Sequence, residues 1–137
     1  MVKVLGSWAV MAWIRADDPA RLKVRALIDA AGRGEVELVM NMVNVGEVYY
    51  LLAKERDRPQ AETFLSDFQT MPVGIVGAPN DLILEAARWK SRYPISYGDA
   101  FALATAIRRQ GALVTGDPDF KPIREAGVVE LDWIGRS

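Results

Sequence analysis

Short apolar runs of strand length alternate along this chain with stretches whose apolar residues recur at helical spacing, and this alternation constrains the fold most. Val2–Leu5 reads as a strand that stops at Gly6-Ser7. A helix from Trp8 to Arg15 follows, with Ser7 as its N-cap. Asp18-Pro19 opens a second helix with the stripe Ala20, Val24, Leu27 and Ala31, ended by Gly32 and Gly34. Val36–Met40 is the next strand. Asn44 then caps a helix carrying Val45, Val48, Tyr49 and Leu52, and another helix starts near Pro59. Val73–Val76 is the third strand, Pro79-Asn80 opens a helix, and Ser96 caps one with Ala100, Leu103, Ala104 and Ile107 on its inner face. Ala112–Thr115 and Val128–Leu131 complete the strands. Such alternation predicts an α/β fold: a three-layer α/β/α arrangement around a parallel sheet of four to five strands. With short loops and 137 residues, one domain spanning 1–137 is expected.

Composition narrows the chemistry. The chain has no cysteine and no histidine. Disulfides, thiolate metal sites and every imidazole mechanism are therefore excluded. Hydrolytic chemistry must rest on carboxylates, lysines or a metal held by oxygen ligands. The net charge of −1 means that a nucleic-acid partner would be held by local basic patches and a bridging cation, not by bulk charge. The apolar runs are far shorter than the ~18 residues of a membrane span, and a cytoplasmic protein with no membrane partner is expected.

The placement of acids is the informative pattern. Glu47 in Asn44-Val45-Gly46-Glu47 and Asp99 in Ser96-Tyr97-Gly98-Asp99 both fall at helix starts, and Asp117 in Thr115-Gly116-Asp117-Pro118-Asp119 follows a strand directly. In an open parallel sheet these positions share one edge, the edge at which ligands bind. Carboxylates converging there repel unless a cation lies between them. Each acid also has a local reading: Glu47 and Asp99 as capping-box acids, Asp117 as a turn residue.

Taken together, Ser7-Trp8-Ala9, Asn44-Val45-Gly46-Glu47-Val48-Tyr49-Tyr50, Ser96-Tyr97-Gly98-Asp99-Ala100-Phe101-Ala102 and Val114-Thr115-Gly116-Asp117-Pro118-Asp119-Phe120 resemble PIN domains, and most of all the VapC-type toxins of toxin–antitoxin pairs. The resemblance spans essentially the whole chain. It implies an endoribonuclease that uses Mg²⁺ or Mn²⁺, with Glu47, Asp99 and Asp117 as the catalytic and metal-binding acids. Ser7, Thr115 and Asp119 would support them. The family's first acid sits at the end of the first strand, where this chain has Gly6, so the resemblance implies an inactive or impaired enzyme. It also implies a cognate antitoxin as partner, and a homodimer or a toxin–antitoxin hetero-oligomer as assembly. The alternative is a non-catalytic PIN-like module that binds RNA or protein. A receiver-type or phosphatase domain would want acids where Gly6-Ser7 stands.

Arg88, Lys90 and Arg92 are candidate RNA-phosphate contacts, with Arg88 and Arg92 on one helix face. Their alternative is a solvated surface. Tyr97 is a candidate for base stacking or for packing over the cleft. Trp8, Met11 and Trp13 crowd one short helix, so part of that face is core and the rest suits a partner helix.

Overall fold

The computed structural model describes residues 1–136. The strands are β1 Val2–Leu5, β2 Glu37–Asn41, β3 Val73–Val76, β4 Ala112–Thr115 and β5 Leu131–Trp133. The helices are α1 Ser7–Ile14, α2 Ala20–Gly32, α3 Met42–Glu55, α4 Arg58–Phe68, α5 Asn80–Arg92, α6 Tyr97–Arg108 and α7 Lys121–Ala126, the last entered through a single 3-10 turn, Pro118–Phe120. All neighbouring strands run parallel, in the order β3-β2-β1-β4-β5.

The inner strands β1, β2 and β4 are short and mostly apolar because both of their faces are covered, whereas edge strand β3 leaves Ile75 exposed. Successive residues alternate between two cores. Leu5, Leu38, Met40 and Val114 pack with α1 to α4, through residues such as Met11, Val48, Leu52 and Phe64. Val4, Val39 and Leu113 point the other way, onto Ala86, Phe101, Leu103 and Ile123 of the remaining helices. Fully burying one such side chain contributes about 1.5–3 kcal/mol. Three layers follow, as the alternation predicts.

Chain order meets strand order in an informative way. From β1 the chain steps outward to β2 and β3, whereas β4 and β5 lie on β1's other side. The direction of winding therefore reverses between β1 and β4. At such a switch point the loops leaving the two strands part and open a crevice. Here those loops are Gly6-Ser7 and Gly116-Asp117. Lys3 of β1 and Asp132 of β5 meet at 2.6 Å across the intervening β4, tying the two halves of the sheet.

Several boundaries differ from the sequence reading. Gly6, not Ser7, is the N-cap of α1, and it makes no side-chain cap bond. α2 begins at Ala20, with Pro19 at the cap position rather than inside the helix. Asn41 caps α3 through Val43 N (2.9 Å), so Asn44 is not the cap. β2 passes into α3 without a spacer, and Asn41 ends the ladder while its extended backbone (φ −74°, ψ 140°) starts the helix. Its side chain also donates to Gly77 O (3.2 Å) and Thr105 Oγ1 (3.1 Å), which leaves this fully buried amide satisfied. The last strand is Leu131–Trp133 rather than Val128–Leu131. Gly127, in the left-handed region at φ 66°, ends α7, and Val128 and Val129 pack on the α5–α6 core instead of entering the ladder.

α6 ends in an αL turn without glycine at the αL residue. Gln110 (φ 53°) donates to Ile107 O and Gly111 to Ala106 O, a Schellman pair. The glycine stands one residue later because Gly111 lies against Val2 O, where a β-carbon would clash at 2.5 Å.

Candidate metal-binding cleft

Asp99 and Asp117 arrive at the crevice for separate local reasons, whereas Glu47 is not among the residues that line it. Asp117 follows β4 and is fixed by two bonds. Its backbone N–H donates to Thr115 Oγ1 (3.2 Å), and its carboxylate accepts from Asp119 N (2.9 Å) as the cap of the 3-10 turn. Asp99 lies in the first turn of α6, whose cap, Ser96, accepts the Asp99 N–H at 3.1 Å. Because α6 runs into β4 through a short turn, its N-terminus lies at the same sheet edge as Asp117. Ser7, Trp8, Asp99, Asp117 and Asp119 line one hollow of about 230 Å³.

Asp99 is buried, 8% exposed. Burial pushes its carboxyl up from 3.8 to about 6; Asp117 is the next cause, with smaller pushes from Glu47 and Asp119 against the opposing Ser96 hydroxyl bond. Four acids thus share one electrostatic neighbourhood. Among the described residues, none of the four is in an ion pair. Arg15 also lines the hollow, but its guanidinium is bonded to Glu55. A desolvated carboxylate beside others with no cation is what a divalent ion or an inserted guanidinium relieves.

Glu47 is placed by contacts that the sequence reading missed. It lies well inside α3, so the capping-box explanation of it does not hold. The buried Asn44 amide donates to Glu47 Oε1 (2.8 Å) and to Gly98 O (2.9 Å), bridging α3 to the first turn of α6. A side chain at Gly98 would overlap the Glu47 carboxylate, so glycine is what lets the acid lie against α6. Asn44 Oδ1 is buried without a partner among the described residues. An unpaired buried acceptor costs about 1–3 kcal/mol, and here the amide is turned to serve Glu47 instead. The only sequence signals were the asparagine one helical turn before Glu47 and the glycine before Asp99.

At Gly6 the backbone is extended (φ −85°, ψ 172°), a conformation open to any residue. A β-carbon there would sit 3.7 Å from the Ala102 β-carbon, an ordinary contact. Ala102 is one turn along α6 from Asp99. A side chain at position 6 is therefore accommodated, beside the helix that carries Asp99. As it stands, no group of three acids among the described residues is close enough to hold an ion by protein ligands alone. The donors present still fit a hard cation that keeps much of its water shell, the way Mg²⁺ is commonly bound.

The three basic candidates do not line this hollow. Arg88 is exposed, Lys90 Nζ donates to Ile95 O (3.0 Å), and Arg92 lies over the Trp89 ring. Tyr97 is 42% exposed and packs on Phe101 at 4.8 Å between centroids. Of the large α1 residues, Met11 is buried, Trp8 borders the acid hollow, and Trp13 lines a separate groove. That groove, about 260 Å³, is formed with Ile14, Leu52, Phe64, Phe68 and Met71. No described helix is long and apolar enough to cross a membrane.

A sequence profile of the PIN domain matches residues 7–126. No curated protein matches the sequence. Among solved structures, the chain resembles VapC20 of Mycobacterium tuberculosis, described as a Sarcin-Ricin loop cleaving toxin, at 20% identity and TM-score 0.72, covering 94% of this chain and 98% of that one. It resembles VapBC2 of Rickettsia felis, solved bound to a DNA fragment of its promoter, at 18% identity and TM-score 0.71, covering 96% and 98%. It also resembles a toxin–antitoxin complex from Klebsiella pneumoniae, at 17% identity and TM-score 0.65, covering 93% and 94%. At these identities the likeness is one of fold.

Proposed function

Because the chain belongs to the PIN domain family, we propose that it is the toxin component of a type II toxin–antitoxin pair, built as a metal-dependent endoribonuclease and impaired by Gly6. The observation that carries this reading is the buried Asp99, raised to about 6 beside Asp117 at the sheet's switch point. Raised carboxyls without a countercharge, set in a cleft, are candidates for functional sites, because catalytic and metal-binding groups are tuned by burial and like charge.

Asp99 and Asp117 would hold a Mg²⁺ or Mn²⁺ ion, with Glu47 alongside. Such an ion supplies charge neutralisation at a phosphoryl group and a more acidic water. Thr115 and Asp119 fix the Asp117 turn. Asn44 holds Glu47 toward α6. Ser7 begins α1 in the wall of the hollow, beside the position where Gly6 replaces the family's first acid. Arg88, Lys90 and Arg92, on the helix that leads into Ser96, are candidates for holding RNA further from the cleft.

The partner fits the same picture. An antitoxin segment would set apolar residues in the Trp13 groove and reach the acids with a guanidinium, which can bond two carboxylates at once. The relatives from Rickettsia felis and Klebsiella pneumoniae were solved as toxin–antitoxin assemblies.

The test is Gly6→Asp, assayed on a broad RNA pool with Mg²⁺ or Mn²⁺ and for growth arrest on expression. Metal-dependent cleavage that disappears again with Asp99→Asn is expected. A well-folded but inert Gly6→Asp protein would favour the second reading, a PIN-like module that binds RNA or protein without cutting it. The absence of a three-acid ligand set among the described residues is the observation on that side.

A further inference from the structure

A second hollow adjoins the acid cleft, and Trp8 is the wall between them. It is the larger of the two, about 520 Å³, and is bounded by Trp8, Pro19, Gly116, Pro118, Gly135 and Arg136. The residues after β4 divide alternately between the hollows. Gly116 and Pro118 face this one, whereas Asp117 and Asp119 face the acids. Whatever is held at the acids thus lies one side chain away from this space.

The floor is built for close approach. Gly116 and Gly135 touch backbone to backbone, and a β-carbon on Gly135 would come within 2.8 Å of Gly116. The tip of the Trp8 indole occupies the place where a Gly116 side chain would be. The hollow is open, within the ~300–1,000 Å³ range of ligand pockets, and flanked by prolines and an indole.

We propose that this hollow receives the base of the RNA nucleotide next to the phosphate held at the acids, with Trp8 as its stacking surface. The inference rests on the nuclease reading above and adds a substrate-positioning residue to it. Three features select a base over other occupants. The aromatic wall and proline flanks offer flat apolar contact, which every base can use. Asp17 in the lining repels a phosphate but accepts hydrogen bonds from exocyclic amines, whereas the neighbouring Asp18 is paired with Arg21. Exposed Arg136 lines the same hollow and offers a cation to the phosphate of a nucleotide held there.

The test uses the full chain and short fluorescent single-stranded RNAs in Mn²⁺, each carrying either a normal or an abasic nucleotide at one position. Fluorescence anisotropy should give about a 10-fold loss of affinity for Trp8→Leu, within the range for removing one stacked base. Trp8→Phe should keep most of the affinity. The abasic RNA at the matching position should lose about as much on the parent protein, and nothing further on Trp8→Leu. Arg136→Ala, at an exposed site that does not threaten folding, should weaken binding and flatten its salt dependence by about one phosphate. Thermal melting checks that each variant is folded. RNA binding indifferent to both Trp8 and Arg136, or equal losses on intact and abasic RNA, would overturn the subsite and leave the nuclease reading standing. A parent protein that binds no RNA with any metal would overturn both.

Discussion

The carboxylate of Glu47 lies in the space that a side chain on Gly98 would fill. One residue's lack of a β-carbon thus sets the position of another residue's charge, across the α3–α6 contact. Asn44 holds the arrangement from the α3 side by bonding both Glu47 and the Gly98 carbonyl.

Gly98→Ala is therefore expected to separate stability from site geometry. Alanine gains up to about 1 kcal/mol over glycine in a helix, while the flexible end of Glu47 moves aside. The melting temperature should hold or rise by a few degrees. Mn²⁺ affinity by calorimetry should fall several-fold, and cleavage by a Gly6→Asp, Gly98→Ala protein should fall with it. A large drop in melting temperature would show that the glycine serves packing instead.

Asp99 makes the metal-free protein more stable as pH falls. Its folded carboxyl titrates near 6 against 3.8 as the ordinary value, so the folded state binds the proton more tightly. The cost of keeping it ionised is fully present above about pH 6 and is relieved as pH drops toward 4. At 1.36 kcal/mol per unit the cost is on the order of 2–3 kcal/mol. Asp99→Asn should raise chelator-treated stability at pH 7 by up to that amount and remove this contribution to the pH dependence. Urea melts of parent and variant between pH 4.5 and 7.5 measure the difference; parallel curves would refute the assignment.

Gly6→Asp should change how stability responds to metal. Without metal, a fifth acid in this neighbourhood adds repulsion, set against a few tenths of a kcal/mol from a better N-cap. With Mn²⁺ the added ligand tightens binding, and binding to the folded state alone raises stability by mass action. Differential scanning calorimetry should show a small effect of Mn²⁺ on the parent and an increase of several degrees on Gly6→Asp. Equal shifts in the two proteins would mean that position 6 does not face the ion.

Gln110→Gly tests the end of α6 and leaves the cleft untouched. A non-glycine residue at φ 53° costs about 1 kcal/mol, which glycine removes. Denaturant midpoints should rise by an amount equivalent to about 0.5–1 kcal/mol. Gly111→Ala, one residue on, should do the opposite because of the clash with Val2 O.

The layers and the sheet edge were legible because they depend on periodicity and on chain order, which local sequence carries. Val73–Val76 and Ala112–Thr115 coincide with the strands found. The junction at Asn41 was not legible: two asparagines stand three apart, and local propensity does not say which one ends the ladder. The Val128-Val129 pair mimics a strand, yet its apolar surface is used by a helix layer. Asp99 and Asp117 were visible as a helix-start and a strand-end residue, but Glu47, read as a helix-start acid, lies inside α3 because the helix begins at Met42. Gly98 and Asn44 act across elements distant in sequence, so their neighbours in the chain mark their positions but not what they do.

Lys3 and Asp132 are 129 positions apart, and β1 is flanked on its cleft side by a strand from the last quarter of the chain. A growing polypeptide lacks that neighbour until β4 has left the ribosome. Gly6-Ser7 then has no Asp117 opposite it, and the cleft does not exist. Contacts of such long sequence separation form late. For this chain the order of synthesis acts as a delay: whatever the cleft does, it can do only once β4 has emerged and taken its place beside β1.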